Sequence, residues 1–328
     1  MQYFYSQKQF EEYQYRQALR KDTNAVGLLL ILFFGTEILF SIVVAIVEIF
    51  SGANTTEILS SAFELMMFNG VFSLVTFFLV GIIFCLVRRE SFARLFPFEK
   101  IKPSTLFMLV IIGLALSLLS NYVADAVSHM FSMFGFESSY TGSVETDERT
   151  SIFISYLTVA VIPAFAEEFA FRGIVMGILR RHSDALALIV SAAIFGIMHG
   201  NIIQIPFAFC GGLVFGFMVI KTNSLLPGIL IHFLNNAIAT TCDLLTEVPG
   251  ITDDMVNIGF SLLILILIVL SAIFLFRIIK NDKNFFSFTD SDKMLPFREK
   301  MKITCSSPTL IVYTALMAVY TVFAETMT

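Results

Sequence analysis

Long apolar stretches separated by short polar breaks run through most of this chain. A helix needs about 20 apolar residues to cross roughly 30 Å of hydrocarbon. Eight stretches read that way: residues 25–50, 62–87, 104–130, 151–179, 185–200, 204–220, 225–242 and 257–279. A ninth run at 308–323 is shorter and reads as either a span or an interfacial segment. The runs are continuous rather than alternating, and in lipid a helix satisfies all of its own backbone polar groups. The pattern therefore predicts an all-α, polytopic transmembrane helical bundle of about eight spans, nine if the last run crosses.

The polar breaks carry the expected orientation, because Lys and Arg are retained on the cytoplasmic side. Lys8, Arg16, Arg20 and Lys21 precede the first run, and Arg88, Arg89, Arg94, Lys100 and Lys102 follow the second. Arg180 and Arg181 follow the fourth, Lys221 the sixth, and Arg277, Lys280 and Lys283 the eighth. The intervening breaks are SGANTTE, with no basic residue, GFESSYTGSVETDERT, with one Arg against four acids, and the acidic stretch from Asp243 to Asp254. This alternation predicts a cytoplasmic N-terminus. We expect a cytoplasmic segment at 1–24, one membrane domain at 25–280, and a cytoplasmic connector with an optional further helix at 281–328. Phe285, Phe286 and Phe288 of the connector are candidates for contact with the membrane surface. The first apolar run is too long for the core of a cleaved signal peptide, and no repeat of fixed period divides the chain.

Composition removes the soluble alternatives. Of 328 residues, 57% are hydrophobic and 14% charged, with a mean hydropathy of +0.83, far outside the balance of a water-soluble domain. The 37 Phe and 14 Met read as lipid-facing and packing residues, and the net charge of −5 gives no reason to expect nucleic acid. Cys85, Cys210, Cys242 and Cys305 lack CxxC or metal spacing and read as reduced packing residues. Gly211, Gly212 and Gly216 include a small-xxx-small spacing suited to close helix packing within the bundle.

The informative residues are ionisable groups inside the apolar runs, where each is costly unless it faces a cavity or a partner. Three short constellations stand out. In AEEFAFRG, Glu168 and Arg172 are four apart and share a helix face, whereas Glu167 points about 100 degrees away and has no partner on its own helix. In FGIMH, Phe195 and His199 share a face; in HFLNN, His232 and Asn236 do. If runs four and five form a hairpin near Arg181 to Asp184, Glu167 and His199 both lie roughly 20 Å from the turn. His232 is shallower by the same count, a difference that Pro227 and tilt can absorb. Each residue alone fits an interhelical pair or a satisfied core hydrogen bonder. Together, a spare carboxylate, two histidines and an amide on neighbouring spans read as a site. Glu37, Glu48, Glu64 and the Asp125–His129 pair lack such a pattern and default to pore-side or interfacial structural roles, with substrate contact as the lesser alternative. Ser191 lacks the GxSxG setting of a serine nucleophile.

These residues resemble the CPBP family, the CAAX protease and bacteriocin-processing proteins also called the Abi family, which includes the type II CAAX prenyl endopeptidase. The family pattern EExxxR, FxxxH and HxxxN is matched in order by Glu167-Glu168 to Arg172, Phe195 to His199 and His232 to Asn236, within about residues 150–240. The resemblance implies an intramembrane endopeptidase acting on a membrane-associated peptide or protein in a lipid bilayer, expected in the plasma membrane of a bacterium. By residue, it implies Glu167 as the base that activates water, His199 and His232 as water-positioning or proton-shuttling groups, and Asn236 as oxyanion donor. Glu168, Arg172 and Phe195 would hold the geometry. The chemistry agrees, since a carboxylate in a low-dielectric cavity serves as a general base and an amide donor suits a developing oxyanion. The cofactor question stays open between none and one Zn held by His199, His232 and Glu167. A catalytically silent scaffold or bacteriocin-immunity protein and a proton-coupled transporter are the alternatives. The transporter is disfavoured because no pair of related halves is visible.

Overall fold

The computed structural model describes residues 7–51, 70–133, 152–288 and 294–327. They form ten helices that we number in chain order. α1 is Gln7–Ser51, α2 is Gly70–Arg88, α3 is Pro103–Met133 and α4 is Ile152–Leu179. α5 is Asp184–Ile197, α6 is Gln204–Thr222 and α7 is Leu226–Thr246. α8 is Asp253–Asn281, α9 is Phe297–Cys305 and α10 is Pro308–Met327. A single helical turn at Phe92–Leu95 lies between α2 and α3. Among the described residues there is no strand; an isolated bridge joins Phe98 to Ser224.

Seven of these helices are long and apolar enough to cross a membrane, and α9 with α10, bent by 63°, make an eighth candidate. The protein is an integral, multi-pass membrane protein. Two details differ from the sequence reading. The fifth run is a helix of only 14 residues, which rises about 21 Å and falls short of the hydrocarbon thickness. The backbone reverses there because Gly200 adopts φ +63, a left-handed conformation that glycine takes without strain. Asn201 Oδ1 then accepts from the backbone N–H groups of Ile203 and Gln204, which starts α6. The second difference is α1, which runs unbroken through position 24, so the polar N-terminal segment continues the first span as helix. Of the second run, 62–69 lie outside the described residues.

The second half of α4 is the centre of the bundle. From Ala170 to Leu179 every residue is buried, and α1, α2, α5, α6 and α7 pack around the helix. Outside this core, α3 packs on α8, and α10 lies along α1. Small residues permit the closest approaches. Gly212 faces Ala192 of α5, and Gly216 faces Leu188 of α5 and Met176 of α4, so the glycine face of α6 packs inside the bundle. Gly27 of α1 lies directly against Thr309 and Leu310 of α10.

The basic breaks converge at one end of the bundle. Asp22 binds Arg88 at 2.9 Å, Arg181 at 3.6 Å and His182 at 3.1 Å, and Arg181 also pairs with Glu90. Buried Lys300 of α9 donates to the His182 carbonyl at 2.9 Å. Asn223, left-handed at the end of α6, accepts from Arg180 and donates to Glu99. These contacts tie the inter-helix turns together and fix the heights of the helices relative to one another. In the connector, Phe285, Phe286 and Phe288 gather around Phe217 of α6 at ring distances of 5.6 to 6.0 Å.

Adding a side chain at Gly27 must push α10 from α1, because the new atoms meet backbone rather than a flexible side-chain end. We expect Gly27→Val to cost about 1–3 kcal/mol of stability, read as a lower melting temperature in detergent; an unchanged transition would refute the α1–α10 packing.

Candidate active site

The site grows from the local structure of α4. Pro163 has no N–H to return to the Val159 carbonyl four residues earlier, and that carbonyl accepts from Asn236 Nδ2 of α7 at 3.2 Å. Beyond the proline, Glu168–Val175 winds as a π-helix, a wide turn that recurs at functional sites. Glu167 and Glu168 stand where the helix changes form.

Glu168 is engaged through one oxygen, while its Oε2 is buried without a hydrogen-bond partner. Its Oε1 lies 2.8 Å from Arg172 Nη1, and both side chains are completely buried. The guanidinium carbon sits 4.2 Å from the ring centroid of Phe195 and 5.2 Å from that of Phe215. A buried charge needs such compensation, and the planar cation obtains it from a carboxylate on one side and two aromatic faces. Gly228 lets α7 come close: a Cβ there would stand 2.9 Å from Glu168 Oε2.

His232 connects the two carboxylates. Its Nδ1 lies 3.1 Å from Glu168 Oε1 and its Nε2 lies 3.8 Å from Glu167 Oε2. A carboxylate held by Arg172 accepts only, so Nδ1 carries the ring proton and Nε2 turns a lone pair toward Glu167. Phe215 stacks on the imidazole at 5.0 Å with 17° between planes, and Phe195 meets it edge-on at 5.8 Å. His199 follows the same logic: its Nδ1 donates to the Phe195 carbonyl at 2.7 Å, which leaves Nε2 as an acceptor. The α7 count had put His232 shallower than Glu167. Its contact with both glutamates removes that offset, and the smaller rise per residue of the π-turn accounts for part of it.

Glu167, His199, His232 and Asn236 all line a cavity of about 320 Å³. Phe195 also lines it, whereas Glu168 and Arg172 lie behind the wall. The cavity holds further polar groups that the motif spacing did not single out: Asn235, Gln204, Ser117 and Ser73. Ser117 donates to Asn235 Oδ1 at 2.9 Å, and Asn235 Nδ2 lies 3.4 Å from Asn236 Oδ1. Asn235 was visible as a second amide in the same apolar run; Ser117 had no local signal. Glu167 and Ser73 also line an adjoining cavity of about 220 Å³ that includes Glu37. Asp125 and His129 line neither cavity, and Ser191 donates to the Leu188 carbonyl with no base beside it. Glu64 and the side chain of Glu48 lie outside the described residues.

Chemically, the cavity joins one carboxylate free of a cationic clamp, two imidazole acceptors and three amides, a set that can hold and deprotonate water beside a carbonyl. Among the described residues no three His, Cys, Asp or Glu side chains lie close enough together as they stand to hold a metal ion.

Residues 149–238 match the family model of the type II CAAX prenyl endopeptidase Rce1-like proteins. No curated protein and no solved structure matches the chain. The matched stretch contains all three motif segments and supports a relationship to the CPBP/CAAX proteases.

The ion pair should be more costly to break than to keep. Arg172→Ala leaves Glu168 buried without its cation, so we expect a loss of about 3–5 kcal/mol. Lys should rescue it poorly because an ammonium cannot lie flat on Phe195 and Phe215. Thermal unfolding of both variants in detergent checks this, and a melting temperature equal to wild type would refute it.

Proposed function

We propose that this relative of the CPBP/CAAX proteases hydrolyses a peptide bond of a membrane-associated substrate, with Glu167 as general base for the attacking water. One observation carries the reading: Glu168 is consumed by Arg172, while its neighbour Glu167 faces a cavity and the Nε2 of His232 at 3.8 Å. Two adjacent carboxylates thus have separate tasks, one structural and one chemical.

Water beside Glu167 donates one hydrogen to the carboxylate and the other to the Nε2 lone pair of His232 or of His199, so its oxygen keeps a lone pair for the carbonyl carbon. Glu167 takes a proton as the water oxygen bonds to the scissile carbonyl carbon, and the carbonyl oxygen becomes an oxyanion. Asn236 uses one amide hydrogen on the Val159 carbonyl; its second serves the oxyanion. Anchoring to backbone fixes that donor before the reaction, which is the source of its electrostatic advantage. When the C–N bond breaks, the proton on Glu167 passes to the leaving nitrogen, restoring the carboxylate. Glu168 acts through His232 by holding the ring's tautomer. The bilayer orientation that suits this reading puts the basic end of the bundle in the cytoplasm, following the Lys and Arg distribution.

The test is incubation of the purified protein in detergent with a mass-coded library of membrane peptides, prenylated CAAX peptides among them, with and without chelator. We expect wild type to release products in both conditions. Glu167→Gln should lower the rate by about 10²–10⁴, and Asn236→Ala by about 10²–10³. Folded wild type that cleaves nothing, or undiminished cleavage by Glu167→Gln, would overturn the assignment.

A further inference from the structure

The smaller cavity beside Glu167 has a different character from the first. Its walls are aromatic, with Phe33 and Phe34 from α1, Phe77 from α2 and Phe171 from α4. Into this lining project Glu37 of α1, Thr76 of α2 and Tyr313 of α10. Glu37 lies within an apolar run, and among the described residues no Lys, Arg or His pairs with it; the Tyr320 hydroxyl hydrogen-bonds its carboxylate. The Thr76 hydroxyl is buried, 2% exposed, and has no hydrogen-bond partner. Glu37 is beside the site, because it lines the same cavity as Glu167.

A carboxylate kept in the membrane interior without a cation, next to an unsatisfied hydroxyl and inside an aromatic sleeve, is an incomplete recognition set. An apolar ligand would desolvate Glu37 with nothing in return, and although Glu167 also lines the cavity, among the described residues no three His, Cys, Asp or Glu side chains group closely enough to hold a metal ion. A long basic side chain satisfies every part: aromatic walls take its methylenes and attract its charge, Glu37 pairs with its head, and Thr76 accepts from it. We propose that this cavity is the subsite for a Lys or Arg side chain adjoining the scissile bond, with Glu37 as the specificity-determining residue. The inference rests on the peptidase reading. Glu37, Thr76, Tyr313 and Tyr320 all lie outside the 149–238 match, so the preference belongs to the parts of this chain that the match does not cover.

The test uses peptides that differ at a single position flanking the cleaved bond, carrying Lys, Arg, norleucine or Glu. Wild type should favour Lys or Arg over norleucine by about tenfold or more in kcat/KM at one position. In Glu37→Gln that ratio should fall toward one, and in Glu37→Lys the Glu peptide should become the best substrate. Thermal unfolding of Glu37→Gln and Glu37→Lys in detergent, expected to match wild type, controls for folding. Fluorescence anisotropy of the same labelled peptides on Glu167→Gln, with and without Glu37→Gln, reads the preference without turnover. A Lys preference that survives Glu37→Gln, or a loss of rate equal for all peptides, overturns the subsite. Cleavage with no charge preference would sink the subsite and leave the peptidase intact. A Glu37-dependent preference in binding with no cleavage by wild type would do the reverse.

Discussion

The Glu168–Arg172 pair, desolvated at the centre of a bundle that itself sits in lipid, is the interaction on which the rest of the site depends. Neither charge has water to fall back on, so each must be answered by protein. The answers come from three of the neighbouring helices: Phe195 from α5, Phe215 from α6 and His232 from α7. Satisfying one guanidinium therefore sets the rotation and approach of three helices around α4. Such a pair adds little net stability compared with apolar residues of similar size, but it tolerates few alternative packings. Its value here is geometric, because once these helices are fixed, Glu167 has only the cavity left to face.

The backbone of α4 complements that constraint. A proline and a π-turn both loosen the regular hydrogen-bond ladder, and they bracket Glu167. The proline's missing donor is matched by the Asn236 contact with Val159, which joins α7 to α4 on the cavity side. The wide turn changes the direction of successive side chains, so that adjacent glutamates diverge, one to Arg172 and one to open space. Chain geometry and electrostatics thus impose the same division between the two acids.

Much of this was legible in the sequence because it is local. The i to i+4 spacing of Glu168 and Arg172, the turn near Arg181 and the histidines at intramembrane depth all follow from helix periodicity and length. What escaped is non-local or depends on departures from the ideal helix. The apolar run at 185–200 looks like a span, yet Gly200 reverses the chain, and composition does not reveal which glycine in an apolar stretch will adopt positive φ. The offset computed for His232 assumed α-helical rise throughout and missed the π-turn. Ser117 and Glu37 approach the site from α3 and α1, far away in sequence, and no spacing rule connects residue 37 with residue 167.

The pairing of α1 with α10 has a consequence in time. These helices, separated by more than two hundred residues, together line the chamber beside Glu167, and Tyr320 of α10 lies over Gly200 where the α5–α6 hairpin turns. Contacts of such sequence separation form late, since the intervening chain must be made and inserted first. During synthesis the charged centre can assemble once α7 has emerged, while one wall of the adjoining chamber is still missing. Docking of α10 is therefore the step that encloses the chamber, and a nascent protein still lacking that helix would carry its acid and histidines without the enclosure that selects what reaches them.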